Sequence, residues 1–312
     1  MANLFLAAEI VLPLILVMAT GLLLRKMNVL DENAAVRMNR VVFYVGIPSL
    51  CFKSLYEADL SELSDTRVLL FMAAGVALSF LLCMLFVPVF SKDNRRRGVL
   101  VQGIFRTNDA VFGIPIASAL LGEGRLALMS LTVSMTVTLY NTLGVIALET
   151  FRGEGANFKR VIGKLVRHPI IWGCVLGLAA NLLGVKLPSV VFGAVKSFAG
   201  MSTPMAFLAL GATLSFHNMH ENRVPLWTAA ALKLVAMPVL LVGAAILLGF
   251  RGEPLVIALA IFGAPTALAT FPMAEAAGAD AELAGEIVAL TAALSMGTMF
   301  LWIFLLLEMG VI

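Results

Sequence analysis

Charged residues are scarce in this chain and make up only 13% of its 312 residues. A soluble domain carries about twice that fraction, so the composition excludes an ordinary water-soluble fold. Cysteine and histidine are also rare, with three of each, and no two cysteines have the spacing of a metal site or a disulfide framework. The net charge of +3 is too small to indicate a nucleic-acid partner.

Long apolar runs are present instead. Hydrophobic residues account for 61% of the chain, and the mean hydropathy is +0.99. Since a membrane helix needs about 20 apolar residues, the sequence predicts an all-α polytopic membrane protein with about ten spans in a lipid bilayer. The predicted spans are residues 4–24, 36–55, 68–90, 99–121, 126–148, 170–184, 188–216, 226–250, 255–277 and 283–309.

The longest polar connector, residues 149–168, divides the chain into two units of five spans, residues 1–148 and 169–312. Basic residues such as Arg96 and Arg160 cluster in the odd-numbered loops, and the even-numbered loops hold few. Because short loops rich in Lys and Arg stay in the cytoplasm, we expect a multi-pass protein of the inner (plasma) membrane. Both the N-terminus and the C-terminus are expected outside.

Prolines recur in the two units at a nearly constant separation. Pro48 and Pro204 are 156 residues apart, and Pro115 and Pro272 are 157 apart. Five is an odd number of spans, so the second unit begins on the opposite side of the membrane and the repeat is inverted. Such a repeat gives two near-equivalent arrangements, one open to each side, which is the physical basis of alternating access.

Two spans contain glycine, proline and polar residues near their middle, where backbone groups that leave the helix lose their partners. We expect the fourth span to end or kink at Gly113-Ile114-Pro115, and the ninth to do so at Gly263–Thr266 and at Pro272. If both helices break at the midplane they cross there, and their free N–H groups suit a carboxylate. The predicted binding residues are Arg106, Asn108, Asp109, Gly113, Ile114, Pro115, Ala264, Pro265, Thr266 and Pro272.

Asp109 is the strongest single candidate, because an acid at membrane depth costs roughly 2.5–3.5 kcal/mol. Arg106 precedes it by three residues, so on a helix the two side chains share a face and can neutralise each other. A structural ion pair and a site for substrate or coupling ion, Na⁺ or H⁺, both remain open. Asn108 is predicted to supply an amide at the break, and Thr266 a hydroxyl from the other half.

Other polar residues within the spans have weaker interpretations. Lys233 lies in the eighth span and can extend towards the membrane surface, whereas Glu286 enters the tenth span and is expected to be interfacial. Hydroxyl residues give the fifth span a polar face, which is more often used for helix–helix contact than for ligand binding.

These interrupted spans resemble those of the auxin efflux carrier family. The resemblance rests on Asn108 beside Gly113-Ile114-Pro115, on Gly122, and on Ala264-Pro265-Thr266. It extends over the whole chain, and the short central loop is similar to that of the bacterial branch. It implies a secondary carrier of a small organic anion, such as malonate, malate or an auxin-like carboxylate. Asp109, with Arg106 nearby, stands where the family leads us to expect a small or neutral residue.

The same resemblance implies a fold similar to the bile acid:sodium symporters and an elevator-like motion. By that analogy, spans 1, 2, 6 and 7 form a scaffold, and spans 3–5 and 8–10 form the transport domain that contains the crossed helices. Members are often homodimers, so a homodimer is expected here.

Two other functions are alternatives to transport. An intramembrane aspartyl enzyme could use Asp109 and Asp280, but the Gly-x-Gly-Asp context is missing and no span centre contains a histidine. An uncoupled anion channel is the other alternative, although an inverted repeat favours alternating access. Since the sequence contains no phosphate-binding loop, a gradient must supply the energy, and the predicted protein is a secondary active transporter without a cofactor rather than an enzyme.

Overall fold

The computed structural model describes residues 2–57, 66–122, 125–152, 169–213 and 222–312. This part of the chain is helical and contains no β-sheet. In the first half the α-helices are α1 (Ala2–Lys26), α2 (Glu32–Val41), α3 (Ile47–Tyr56), α4 (Thr66–Phe90), α5 (Asn94–Phe105), α6 (Ile114–Leu121) and α7 (Ala127–Arg152). In the second half they are α8 (Pro169–Leu182), α9 (Ser189–Thr213), α10 (Arg223–Ala231), α11 (Met237–Leu247), α12 (Glu253–Phe262), α13 (Thr270–Ala276) and α14 (Ala281–Glu308).

In the described residues, each predicted span contains one helix or consecutive helical pieces, and residues 214–216 of the seventh span lie outside the described part. Three π-helical turns complete the pieces: Val42–Gly46 joins α2 to α3, Asp109–Gly113 leads into α6, and Leu232–Ala236 joins α10 to α11. Of the predicted connector, residues 153–168 lie outside the described part, so Arg160 is not placed.

Five of the described helical stretches are long and apolar enough to cross a membrane. They are Thr66–Phe90, Ala127–Phe151, Ser189–Ala212, Arg223–Leu247 and Ala281–Glu308. Their length and composition agree with the bilayer requirement of about 20 apolar residues. The protein is therefore a multi-pass helical membrane protein.

Aspartate side chains cap the first turns of α5 and α14 and bring these turns together. Asp93 accepts from the Arg95 N–H at 2.9 Å, and Asp280 accepts from the Leu283 N–H at 3.0 Å. Such caps satisfy N–H groups that have no partner within a helix. The Asp280 N–H also donates to the Arg95 carbonyl at 3.1 Å, and Arg96 Nε donates to Asp280 Oδ2 at 3.1 Å. The starts of α5 and α14 therefore lie at the same end of the protein.

Glycines allow α1 and α9 to approach each other at backbone distance. A Cβ atom on Gly21 would collide with the carbonyl oxygen of Leu208, and one on Gly211 would collide with the carbonyl oxygen of Met18. Small residues favour this kind of helix association in membranes, where the lipid offers no hydrophobic driving force between helices. In the same group, α2 packs against α9, and α3 packs against both α8 and α9.

A second group of helices packs around α5. This helix packs against α4, α7 and α14, and α13 lies between α5 and α14. The end of α5 is held by Phe105, whose ring contacts Phe80 of α4 at a centroid distance of 5.3 Å and Tyr140 of α7 at 5.8 Å. This packing fixes the point at which the chain leaves the helix.

Candidate functional site

The interruptions of the fourth and ninth predicted spans lie side by side in the interior. α5 ends at Phe105 and α12 ends at Phe262, and both are followed by non-helical backbone. Thr107 and Thr266 form an isolated antiparallel bridge, and the Asn108 N–H donates to the Pro265 carbonyl at 2.8 Å. The two interruptions thus supply hydrogen-bond partners to each other in the buried interior of the protein.

The break in the fourth span lies earlier than the sequence indicated. The chain leaves the helix at 106–108 and has already regained helical structure at Gly113-Ile114-Pro115. The Asn108 carbonyl accepts from the N–H groups of Phe112 and Gly113 at 3.0 and 3.2 Å, which forms the π-helical turn. Pro115 then falls in the first turn of α6, where a missing N–H costs little.

The ninth span shows the same relation between proline and helix. The predicted break at Gly263–Thr266 coincides with non-helical backbone, but Pro272 lies within the first turn of α13. The prediction that Pro272 interrupts the helix was therefore wrong. Both late prolines, Pro115 and Pro272, begin a helix instead of ending one, because proline fits the first turn and not the interior.

Arg106 and Asp109 do not form the ion pair that was one of the two open interpretations of these residues. Arg106 is 5% exposed, and its Nη2 donates to Asn141 Oδ1 of α7 at 2.8 Å, while Nη1 contacts Met273 Sδ of α13. The prediction assumed that both residues share one helix face. Arg106 instead follows the end of α5 in extended backbone, so its side chain points towards α7 and α13.

Asp109 is 3% exposed and is held by hydrogen bonds to its own π-helical turn and to α7. Its Oδ2 accepts from the Thr136 hydroxyl, and its Oδ1 accepts from the Ala110 N–H at 2.9 Å. A carboxylate is costly to bury unless donors surround it. Thr136 therefore stabilises the carboxylate by donating a hydrogen bond to it. The sequence analysis did not foresee this role, because it interpreted the hydroxyl residues of the fifth span as a surface for helix–helix contact.

Lys233 is a further site residue whose role sequence reasoning missed. It lies in the π-helical turn Leu232–Ala236, is only 1% exposed, and donates through Nζ to the Thr107 hydroxyl oxygen. Tyr140 donates to the same oxygen at 3.2 Å. The expectation that Lys233 reaches the membrane surface was wrong. The signal that could have found it was a lysine at the centre of an apolar span, where the cost of burial favours a functional role.

The predicted residues of the second half also lie at the bridge. The Thr266 hydroxyl donates to the Gly103 carbonyl at 2.6 Å, and the Thr266 N–H donates to Thr291 Oγ1 at 3.2 Å. Ala264 and Pro265 are buried beside it, as are Gly113 and Ile114 on the other side. A Cβ atom on Gly113 would lie 2.7 Å from the Ala260 carbonyl oxygen, so α12 and the start of α6 touch through backbone.

The site contains two donors that no described residue satisfies. Arg106 Nε and Asn108 Nδ2 are buried and have no hydrogen-bond partner in the described part of the chain. Counted in their ordinary ionisation states, Arg106 and Lys233 carry two positive charges and Asp109 carries one negative charge. An anion would compensate the net positive charge and accept hydrogen bonds from the unused donors.

A polar, cationic site between two interrupted helices, enclosed by apolar spans, is typical of secondary membrane transporters. The model of the family described as membrane transport protein matches residues 6–159 and 156–303 of this chain. The chain therefore belongs to this family, and its resemblance to the auxin efflux carriers is confirmed at the family level.

Three relatives are similar along most of their length. An uncharacterized transporter of Methanothermobacter thermautotrophicus is 27% identical over 299 residues, which cover 95% of this chain and 97% of that protein. The uncharacterized transporter YfdV of Escherichia coli is 24% identical over 250 residues, which cover 75% of this chain and 77% of its own. A candidate malonate transporter of Rhizobium meliloti is 24% identical over 270 residues, which cover 84% and 83% of the two chains.

The hydrogen bond between Thr136 and Asp109 leads to a first prediction. Thr136→Val keeps the shape of the side chain but leaves Asp109 Oδ2 without its donor. We expect the free energy of unfolding to fall by about 1.5–3 kcal/mol, the usual contribution of a hydrogen bond to a charged group. Thr138→Val is the control, since the Thr138 hydroxyl donates only to the Ser134 carbonyl of its own helix. Equal losses of thermal stability in detergent for both variants would contradict the assignment.

Proposed function

We propose that this protein is a secondary active transporter that binds a small organic anion at the paired interruptions. The observation that carries the proposal is the bridge between Thr107 and Thr266, with Arg106 buried beside it. Backbone that leaves a helix at this depth is tolerated where it lines a substrate cavity. The guanidinium of Arg106 is suited to a carboxylate because its planar fork donates two parallel hydrogen bonds.

The charges of the site support an anionic substrate. Arg106 precedes Thr107 of the bridge and Lys233 donates to the Thr107 hydroxyl, and Asp109 offsets only one of their two charges. The unused donors at Arg106 Nε and Asn108 Nδ2 add directional contacts. The name of the Rhizobium meliloti relative makes malonate the first substrate to test, followed by malate and an auxin-like monocarboxylate.

A cavity lies at the end of the protein where α5 begins. It has a volume of about 440 Å³, and its lining includes Asn94, Arg95 and Leu148. Gln102 follows along α5, and Arg106 comes one helical turn later. A Cβ atom on Gly144 of α7 would lie 3.2 Å from Gln102 Nε2 and 3.4 Å from Arg106 Nη1, so both side chains face α7. We assign this seam between α5 and α7 to substrate entry.

Alternating access completes the proposal. Ten spans form two inverted repeats, with both termini outside the inner membrane. The scaffold consists of α1–α3, α8 and α9, and the transport domain of α4–α7 and α10–α14, which moves like an elevator within a homodimer. The packing of α1, α2 and α3 against α9, and of α4, α7 and α14 around α5, supports this division.

Uptake into liposomes tests the proposed function. The purified protein is reconstituted, and uptake of radiolabelled malonate, malate and indole-3-acetate is measured under imposed Na⁺ or H⁺ gradients. We expect saturable, gradient-dependent uptake of one of the acids. No uptake by a protein shown to be folded would refute the substrate class, and flux that never saturates and follows only the anion gradient would indicate a channel.

A further inference from the structure

A second buried polar pair lies away from the bridge, where α10 begins and α14 passes. Asn222, the residue before α10, is 6% exposed, and Glu286 of α14 is 8% exposed. Asn222 Nδ2 donates to Glu286 Oε2 at 2.9 Å. The expectation that Glu286 is interfacial did not anticipate this burial or this partner.

Each member of the pair has one oxygen that lacks a partner. Asn222 Oδ1 and Glu286 Oε1 are both buried and accept no hydrogen bond from any described residue. Both atoms are acceptors while Glu286 is ionised, so they cannot satisfy each other. A proton on Oε1 turns that oxygen into a donor. The protonated acid then donates from Oε1 to Asn222 Oδ1, while Asn222 Nδ2 still donates to Glu286 Oε2. Both oxygens that lacked a hydrogen-bond partner now have one.

The charged groups around the pair leave Glu286 without a cationic partner of its own. Asp280, the cap of α14, pairs with Arg96 of α5 at 3.1 Å. Glu282 lies one helical turn before Glu286 and is exposed, and Arg223 follows Asn222 in the sequence and is also exposed. None of the described bases forms an ion pair with Glu286.

Both helices of the pair also hold the bridge. The helical stretch that starts after Asn222 carries Lys233, which donates to Thr107. Glu286 lies five residues before Thr291, about 7.5 Å along the helix axis, and Thr291 accepts from the Thr266 N–H. A change in the contact between α10 and α14 is therefore transmitted to both residues of the bridge. It reaches Thr107 through the hydrogen bond from Lys233, and Thr266 through its hydrogen bond to Thr291.

We propose that Glu286 and Asn222 form a proton-binding site and that a proton bound to Glu286 is the coupled ion of transport. The inference rests on the proposed function, because coupling requires a transported substrate. One proton binds to the carboxylate when the pair is accessible from the acidic side and leaves on the other side. Protonation forms the second hydrogen bond between Glu286 and Asn222, and loss of the proton breaks it.

Glu286→Gln tests the coupling, because glutamine imitates the protonated acid and can exchange two hydrogen bonds with Asn222. An inward gradient of one pH unit corresponds to about tenfold accumulation for one coupled proton. We expect this accumulation in the wild type and in the control Glu282→Gln, which removes an exposed acid one turn away. Glu286→Gln should lose the accumulation and keep exchange of labelled for unlabelled substrate at equal pH.

Contrary results would be clear in the same assay. Proton-driven accumulation by Glu286→Gln at the wild-type level would overturn the inference, as would accumulation by the wild type that depends on Na⁺ and not on pH. Absence of any uptake by the wild type would instead refute the proposed function.

Infrared difference spectroscopy between acidic and neutral pH separates proton binding from transport. We expect a carbonyl band of a protonated carboxyl group that Glu286→Gln removes and Glu282→Gln retains. If Glu286→Gln leaves the spectrum of the protonated carboxyl groups unchanged, Glu286 is not the proton site, whether or not the protein transports any acid.

Discussion

Replacing Arg106 with glutamine is expected to reduce uptake of the transported acid at least about 100-fold in kcat/KM, which corresponds to about 2.7 kcal/mol. Glutamine keeps a polar side chain of moderate length but removes the charge and the planar fork. Removing one partner of a buried, hydrogen-bonded charge pair costs about 2–5 kcal/mol in comparable sites, so a loss of this size is reasonable. The loss should be largest for a substrate whose carboxylate contacts the guanidinium directly.

Two controls define the interpretation of that variant. Arg106→Lys keeps the positive charge but lacks the planar guanidinium. We expect it to transport better than Arg106→Gln and worse than the wild type, because an ammonium group attracts a carboxylate but cannot donate two parallel hydrogen bonds to it. Arg125→Gln removes an exposed arginine that pairs with Glu253 at 3.3 Å, and it should transport normally. Wild-type kcat/KM in a folded Arg106→Gln protein would exclude Arg106 from substrate binding.

Replacing Gly211 with valine is expected to destabilise the protein by about 3 kcal/mol or more. Gly211 of α9 lies directly on the backbone of α1, and any Cβ atom there would collide with the Met18 carbonyl oxygen. A carbonyl oxygen in a helix cannot rotate away as a side chain can. The valine must therefore push α1 away from α9. This separation also breaks the contact between Gly21 of α1 and the Leu208 backbone of α9.

The same helix offers a matched control for this substitution. Gly200 also lies in α9, but a Cβ atom there would meet no atom within 4 Å. Gly200→Val should therefore change the melting temperature in detergent little, whereas Gly211→Val should lower it by several degrees. Similar melting temperatures for the two variants would indicate that α1 and α9 do not depend on backbone contact.

The broken helices show how far sequence reasoning reached. Glycine and proline in the middle of an apolar span predict backbone that needs other partners, and this placed Asn108 and Thr266 at one site. The positions of glycine and proline could not predict at which residue the helix ends. The break at 106–108 depends on the hydrogen bond from Asn108 to Pro265, a partner 157 residues away. Pro115 belongs to the helix that follows.

Lys233 and Glu286 show a second limit. In a soluble helix the apolar face points to the core, so the sequence alone indicates which side chains are buried. The long helical stretches that carry Lys233 and Glu286 are apolar on nearly all sides, because lipid and protein interior are equally apolar neighbours. Periodicity therefore could not predict that Lys233 points to Thr107 or that Glu286 contacts Asn222.

Composition and span length by themselves determined that the chain is a helical membrane protein, and the short motifs around Asn108 and Pro265 determined its family. These properties depend on solvation and on local backbone chemistry, which each segment carries in its own residues. Tertiary structure alone decided which charges meet. Arg106 contacts Asn141 instead of Asp109, and Lys233 donates to Thr107 of the bridge, because side-chain partners across helices depend on how the helices pack.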